Sequence, residues 1–162
     1  MAGAPYEHPL NLMTQSVLTW GSWAITIVLL VIAMRKDLHY RSPFFTFLIL
    51  SGMTAALAEP LYDVGFMLLF YTPGIWSTFS AFEIPQPVWA YSGYVVLYSG
   101  TAMYICEGMR KGMTPARLYG WASIALAMSV AFEIIGIKGG AYTYWGPHAL
   151  RIFDYPLAIG VL

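Results

Sequence analysis

Long apolar runs separated by short polar segments set the plan of this chain. Four of them, at 17–34, 43–71, 88–106 and 118–137, are long enough to cross a bilayer. A helix needs at least roughly 17 residues to do so. The second run is longer than required and contains Pro60, which predicts a tilt, a kink at the proline or an early exit. A fifth apolar stretch, 155–162, reads YPLAIGVL, and its eight residues are too few to span as a helix. The pattern predicts an all-α polytopic transmembrane bundle, one domain over 1–162, with four full spans and the start of a fifth. A chain continuing past Leu162 is the expectation, and a short re-entrant tail is the alternative.

Composition sharpens this picture. The 162 residues are 59% hydrophobic, 17% aromatic and 10% charged, far from a soluble average. The net charge of zero gives no sign of a nucleic-acid partner. The single cysteine, Cys106, excludes an internal disulfide framework and reads as a buried, inert thiol. Six of the eight Lys and Arg residues lie in two segments: Arg35, Lys36 and Arg41, then Arg110, Lys111 and Arg117. The positive-inside rule puts both segments in the cytoplasm and the N-terminus outside. A bacterial cytoplasmic membrane is the expected location.

Three acids interrupt the apolar runs. Glu59 and Asp63 lie in EPLYD, and Glu133 lies in AFEIIG. A carboxylate at membrane depth is costly and marks a site, a partner or a water-filled cavity. Glu59 lies eighteen residues beyond Arg41 and Glu133 sixteen beyond Arg117. At about 1.5 Å per residue, both sit roughly 24–27 Å from the inner boundary. Asp63 follows Glu59 by four residues, so the two share a helix face unless Pro60 breaks it. Pro60 also frees a carbonyl near Ala56, which could serve a pocket. Gly52, Ala55 and Ala56 flank Glu59, and Ala122, Ala125, Ser129 and Gly136 flank Glu133, so both helices can approach others closely. Glu59 and Glu133 are therefore expected across one cavity, with Asp63 at its outer rim. A structural pair of acids is the alternative.

Aromatic residues gather at the same depth. Tyr91, Tyr94 and Tyr98 form a stripe at i, i+3, i+7, and Tyr91 or Tyr94 is expected on the cavity wall. The segment KGGAYTYWGPHALRIFDYP carries Tyr142, Tyr144, Trp145 and Asp154 and could form a lid. The ordinary roles are aromatic belts at the membrane surfaces. Asp63 could also serve as an interfacial cap. Asp154 is expected to pair with Arg151 or cap the following helix, and Glu107 to pair with Arg110.

No lysine or histidine lies mid-span, which excludes a retinal Schiff base and argues against bis-His haem. No cysteine cluster, His-rich box or phosphate loop is present in the sequence, so no metal or cofactor is called for. Acids and aromatics in an apolar pocket suit proton chemistry on a hydrophobic substrate. The alternatives are a carrier or small transporter with a proton relay, and a structural subunit whose acids pair with a partner helix.

FEIIGIKGGAYTYWGPHALRIFDYP resembles a pattern in polytopic carotenoid-biosynthesis membrane proteins, among them carotenoid hydratases and membrane lycopene cyclases. Glu133, Gly136, Gly140, Tyr142, Tyr144 and Pro156 occupy that pattern. EPLYD is similar to a segment of the integral-membrane terpene cyclases. The resemblance implies about seven helices and metal-independent, acid-initiated cyclase, hydratase (lyase) or isomerase chemistry on an isoprenoid or carotenoid. It implies Glu59, Asp63 and Glu133 as candidate catalytic groups. Tyr91, Tyr94, Tyr98, Tyr142, Tyr144, Trp145 and Asp154 are the candidate substrate-binding residues. The expected partners are that apolar substrate and membrane lipid, and a homo-oligomer is compatible.

Overall fold

The computed structural model describes residues 4–161. Helix α1, Leu12–Tyr40, opens on Asn11, whose side chain accepts from the N–H groups of Met13 and Thr14 at 3.0 and 3.2 Å. Four of its six buried residues are polar: Gln15, Thr19, Ser22 and Thr26. Val17, Trp20, Ile25, Ile27 and Val28 are exposed on the rest of its surface. This inside-out arrangement is the one a lipid environment favours, because the interior must satisfy polar groups while the outside meets acyl chains.

The chain reverses after Arg41, and Asp37 accepts from the N–H groups of Phe45 and Thr46 at 2.8 Å each. That carboxylate starts α2, Phe44–Ala55. A 3₁₀ turn, Ala56–Ala58, links α2 to α3, Glu59–Phe66. The carbonyl freed by Pro60 is not left open to a pocket, because the Glu59 N–H donates to Ala56 O. Helix α3 stops at Met67, which is left-handed at φ 52°. The run 43–71 therefore leaves the helix early. Leu68–Phe70 is strand β1, not helix.

The next stretch is a hairpin of β2, Ser77–Ala81, and β3, Ile84–Pro87, turned by Phe82 and Glu83 at φ 52° and 64°. Helix α4, Val88–Tyr94, then runs through a π turn, Val95–Ser99, into α5, Gly100–Arg110. This broken helix is the interior of the molecule. Trp89, Ser92, Gly93, Val95, Ser99 and Met103 are buried along it. Ser92 meets Ser22 at 2.6 Å, its carbonyl accepts from Thr26 at 3.3 Å, and Trp23 donates to Val88 O at 3.3 Å. Gly52 packs directly on Ser99, where a larger residue has no room.

Helix α6, Pro115–Lys138, starts on Thr114, which accepts from the Arg117 N–H at 3.4 Å. Strand β4, Tyr142–Tyr144, folds back and pairs antiparallel with β1. Arg151–Ile152 (β5) and Tyr155–Pro156 (β6) make a third small ladder, and α7, Leu157–Val161, completes the described chain. The expected start of a fifth span is thus a strand and a short helix, and Leu162 lies outside the described residues.

The expected all-α bundle with four full spans is corrected on two counts. Helix makes up 66% and strand 12%, with three two-stranded ladders. Among the described residues, three helical stretches are long and apolar enough to cross a membrane: Leu12–Tyr40, Phe44–Phe66 and Pro115–Lys138. They are compatible with a membrane protein. The third expected span, 88–106, is not among them. A π turn divides it, and Ser92, Gly93 and Ser99 are buried against protein.

Candidate functional site

One cavity of about 520 Å³ lies where α3, α4, α6 and the β1–β4 ladder converge. Ten aromatic rings and two carboxyls line it, with no lysine, arginine or histidine among the described lining residues. The carboxyls are Glu59 and Glu133. Glu59 opens α3 directly after the 3₁₀ turn, and its side chain lines the cavity. Glu133 reaches it from the last two turns of α6.

Each carboxyl is held by tyrosine. The Tyr94 hydroxyl donates to Glu59 Oε2. The hydroxyls of Tyr142 and Tyr144 donate to Glu133 Oε2 at 3.2 and 3.0 Å. Both donors converge on one oxygen, so Glu133 Oε1 makes no hydrogen bond to the described residues. Burial, and Glu133 beside them, push both phenols above their usual range, so they remain protonated donors. Strand β4 places these tyrosines: consecutive side chains alternate faces, so Tyr142 and Tyr144 point the same way. Gly136 makes room for Tyr142, because a Cβ there would lie 2.5 Å from its ring and hydroxyl.

The rings form a connected wall. Trp89, Phe70, Tyr142, Tyr144 and Tyr155 touch in series, edge to face, at centroid distances of 6.0, 5.7, 6.4 and 5.9 Å. Tyr94 and Tyr98 form a further pair at 5.2 Å. The lining side chains that are exposed are Tyr62, Tyr98 and Leu126, on α3, the π turn and α6. The mouth is therefore on the flank of the helices rather than among the loops.

Six of the residues singled out in the sequence meet here: Glu59, Glu133, Tyr94, Tyr98, Tyr142 and Tyr144. Asp63 does not. It is buried one turn along α3, outside the cavity lining, where Gln86 donates to it at 2.6 Å, and its second oxygen has no partner. Tyr91 also misses the cavity. The α4 face that lines it is Trp89, Ala90, Gly93 and Tyr94, continued by Leu97 of the π turn, and Tyr91 meets Thr78 at 2.9 Å instead. Trp145 is not part of the lining. Asp154 pairs with Lys138 at 2.5 Å on the surface, not with the Arg151 side chain. Glu107 pairs with Lys36 and Lys111, while Arg110 stacks on Tyr40 at 4.2 Å.

Sequence reasoning missed Tyr62, Phe70, Trp89 and Tyr155. Trp89 was legible in principle, since it shares with Gly93 and Tyr94 the i, i+4, i+5 face of α4. Phe70 and Tyr155 arrive on strands with no sequence signal of their own. It also missed Arg151, which donates to the carbonyls of Tyr144 and Gly146 at 2.8 and 2.6 Å and so fixes the end of β4.

No family model, curated protein or solved structure matches the chain. Among the described residues no group of three or more His, Cys, Asp or Glu side chains is arranged to hold a metal ion.

Proposed function

We propose that the protein is a membrane enzyme that protonates an apolar, unsaturated substrate of the isoprenoid or carotenoid type, as a cyclase, hydratase or isomerase. The observation that carries this reading is the pair of tyrosine-held glutamic acids in one aromatic cavity. Its volume falls within the usual 300–1,000 Å³ range of ligand pockets. It can admit one end of a long polyene through the flank between α3 and α6, where a membrane-dissolved chain arrives.

The two carboxyls have different surroundings, which assigns them different roles. Glu133, held by two phenols on one oxygen, is the group that takes a proton back. Glu59, held by one phenol, is the group that delivers the proton. Transfer from Glu59 to an alkene carbon or epoxide oxygen leaves a carbocation on the substrate. The faces of Trp89, Tyr94 and Tyr98 stabilise that positive charge. In a cyclisation or isomerisation, a neighbouring C–H then gives its proton to Glu133 and the double bond reforms. In a hydration, water adds to the cation and Glu133 takes the proton that water loses. A proton returned from Glu133 to Glu59 resets the pair. The resemblance of the Glu133–Pro156 segment and of EPLYD to isoprenoid enzymes supports the same reading. The basic segments supply the proposed orientation, with the N-terminus outside.

Co-expression with a polyene-producing pathway, combined with pigment chromatography, tests this directly. A new product is expected from the parent chain. Glu59→Gln and Glu133→Gln should each lower its yield by roughly a hundredfold or more. An unchanged pigment profile with the parent chain would refute the proposed chemistry.

A further inference from the structure

A second recess lies at the opposite end of the molecule, between the last turns of α1 and the end of α5. It has a volume of about 350 Å³ and is lined by Ile32, Arg35, Lys36, His39, Tyr40, Glu107 and Lys111. Its chemistry is opposite to that of the acid cavity. Three cations face one carboxylate, so the recess carries an excess of positive charge whatever the state of His39.

Glu107 organises this charge without cancelling it. Lys36 and Lys111 both pair with its carboxylate, the latter at 2.9 Å, and Tyr40 donates to it at 3.3 Å. These contacts hold two ammonium groups on one carboxylate, Lys36 partly buried and Lys111 exposed. Arg35 forms no ion pair or hydrogen bond among the described residues. It stands exposed on the wall, with His39 one turn further along α1. Two anchored ammonium groups and an uncommitted guanidinium suit a phosphate ester, which Arg can grip with two parallel hydrogen bonds.

The surface beside the recess identifies the occupant. Ile25, Val28 and Ile32 are exposed at 49%, 57% and 39%, on the face of α1 that continues into Arg35 and His39. The spacing 25, 28, 32, 35, 39 tracks one side of a helix. An apolar track therefore leads directly to a cationic recess where a membrane-crossing helix ends. That is the shape of an acyl chain joined to an anionic headgroup, and basic recesses between such helices hold acidic lipids. We propose that this recess binds the phosphate headgroup of an anionic phospholipid, with an acyl chain lying along Ile32, Val28 and Ile25.

The test uses the purified full chain in neutral detergent, with lipid retention read by native mass spectrometry. Phosphatidylglycerol should be retained and phosphatidylcholine should not. Arg35→Gln removes a side chain with no ion pair or hydrogen bond among the described residues and should weaken phosphatidylglycerol binding about fivefold, the effect of one cation at a membrane surface. The double variant Arg35→Gln/Lys111→Gln should weaken it about twenty-five-fold. Arg117→Gln, a cation of the same boundary outside the recess, should leave binding unchanged. An equal loss in Arg117→Gln, or equal retention of phosphatidylcholine, would overturn the site. Displacement of the lipid by millimolar inorganic phosphate would assign the recess to a soluble phosphate compound and overturn the lipid as its occupant. None of these readouts depends on the activity of the acid cavity.

Discussion

Four residues, Ala-Phe-Glu-Ile, occur twice in this chain and fold two ways. At Ala81–Ile84 they turn a hairpin, with Phe82 and Glu83 left-handed. At Ala131–Ile134 they continue α6 and aim Glu133 into the cavity. The flanking residues make the difference. Pro85 and Pro87 end any helix after the first copy, whereas Ile135 and Ile137 extend the second. Glu133 is therefore legible from its apolar context, whereas Glu83 sits in a turn. Asp63, expected at the cavity rim, is instead fully buried against Gln86. Glu59, Tyr62 and Phe66 make the i, i+3, i+7 stripe of α3 that lines the cavity, and Asp63 lies beside that stripe against Gln86. Two glycines allow a paired test of this residue-level geometry. Gly136→Ala sets a methyl against Tyr142, while a Cβ at Gly93 meets no atom within 4 Å. Gly136→Ala should cost about 1–3 kcal/mol in thermal unfolding and displace the phenol from Glu133. Gly93→Ala should be close to neutral in stability.

At the scale of elements, three membrane-length helices were readable because lipid imposes a long apolar period that few other environments require. The ladders were not readable. They are two to five residues long, their turns lack Asn-Gly or Asp-Gly, and β1 pairs with a strand more than seventy residues away. The broken helix α4–α5 has the apolar length of a lipid-facing span, yet its neighbours are protein on most sides. Its attachment to α1 at the basic end rests on Glu107. Hydrogen bonding from Lys36, then Lys111, holds that carboxyl down at about 2, below its ordinary value near 4.5. A carboxyl lowered on folding stabilises the fold above its unfolded pKa, and that contribution fades as pH falls through the folded value. Thermal stability should therefore decline between about pH 4.5 and pH 2 by an amount that Glu107→Gln removes. A Glu107→Gln variant with an identical acid profile would show that this cluster does not tie α1 to α5.

At the scale of the whole molecule, two ends with opposite chemistry emerge. The acid cavity and the three ladders occupy one end, and the basic recess and the α1–α2 and α5–α6 turns occupy the other. If the basic end faces the cytoplasm, a membrane-impermeant thiol reagent should label Ser77→Cys from outside in intact cells and spare Arg117→Cys, both in a Cys106→Ala background. The reverse pattern would place the acid cavity near the inner surface.

The central claim is that Glu59 and Glu133 exchange protons with carbon in the aromatic cavity. Incubating the purified protein with a polyene extract in deuterium oxide measures this most directly. Mass spectrometry of the recovered polyene should show deuterium gained at carbon, with the rate reduced roughly a hundredfold in Glu59→Gln and in Glu133→Gln. Deuterium gain that persists unchanged in both variants, or is absent with the parent chain, would contradict it.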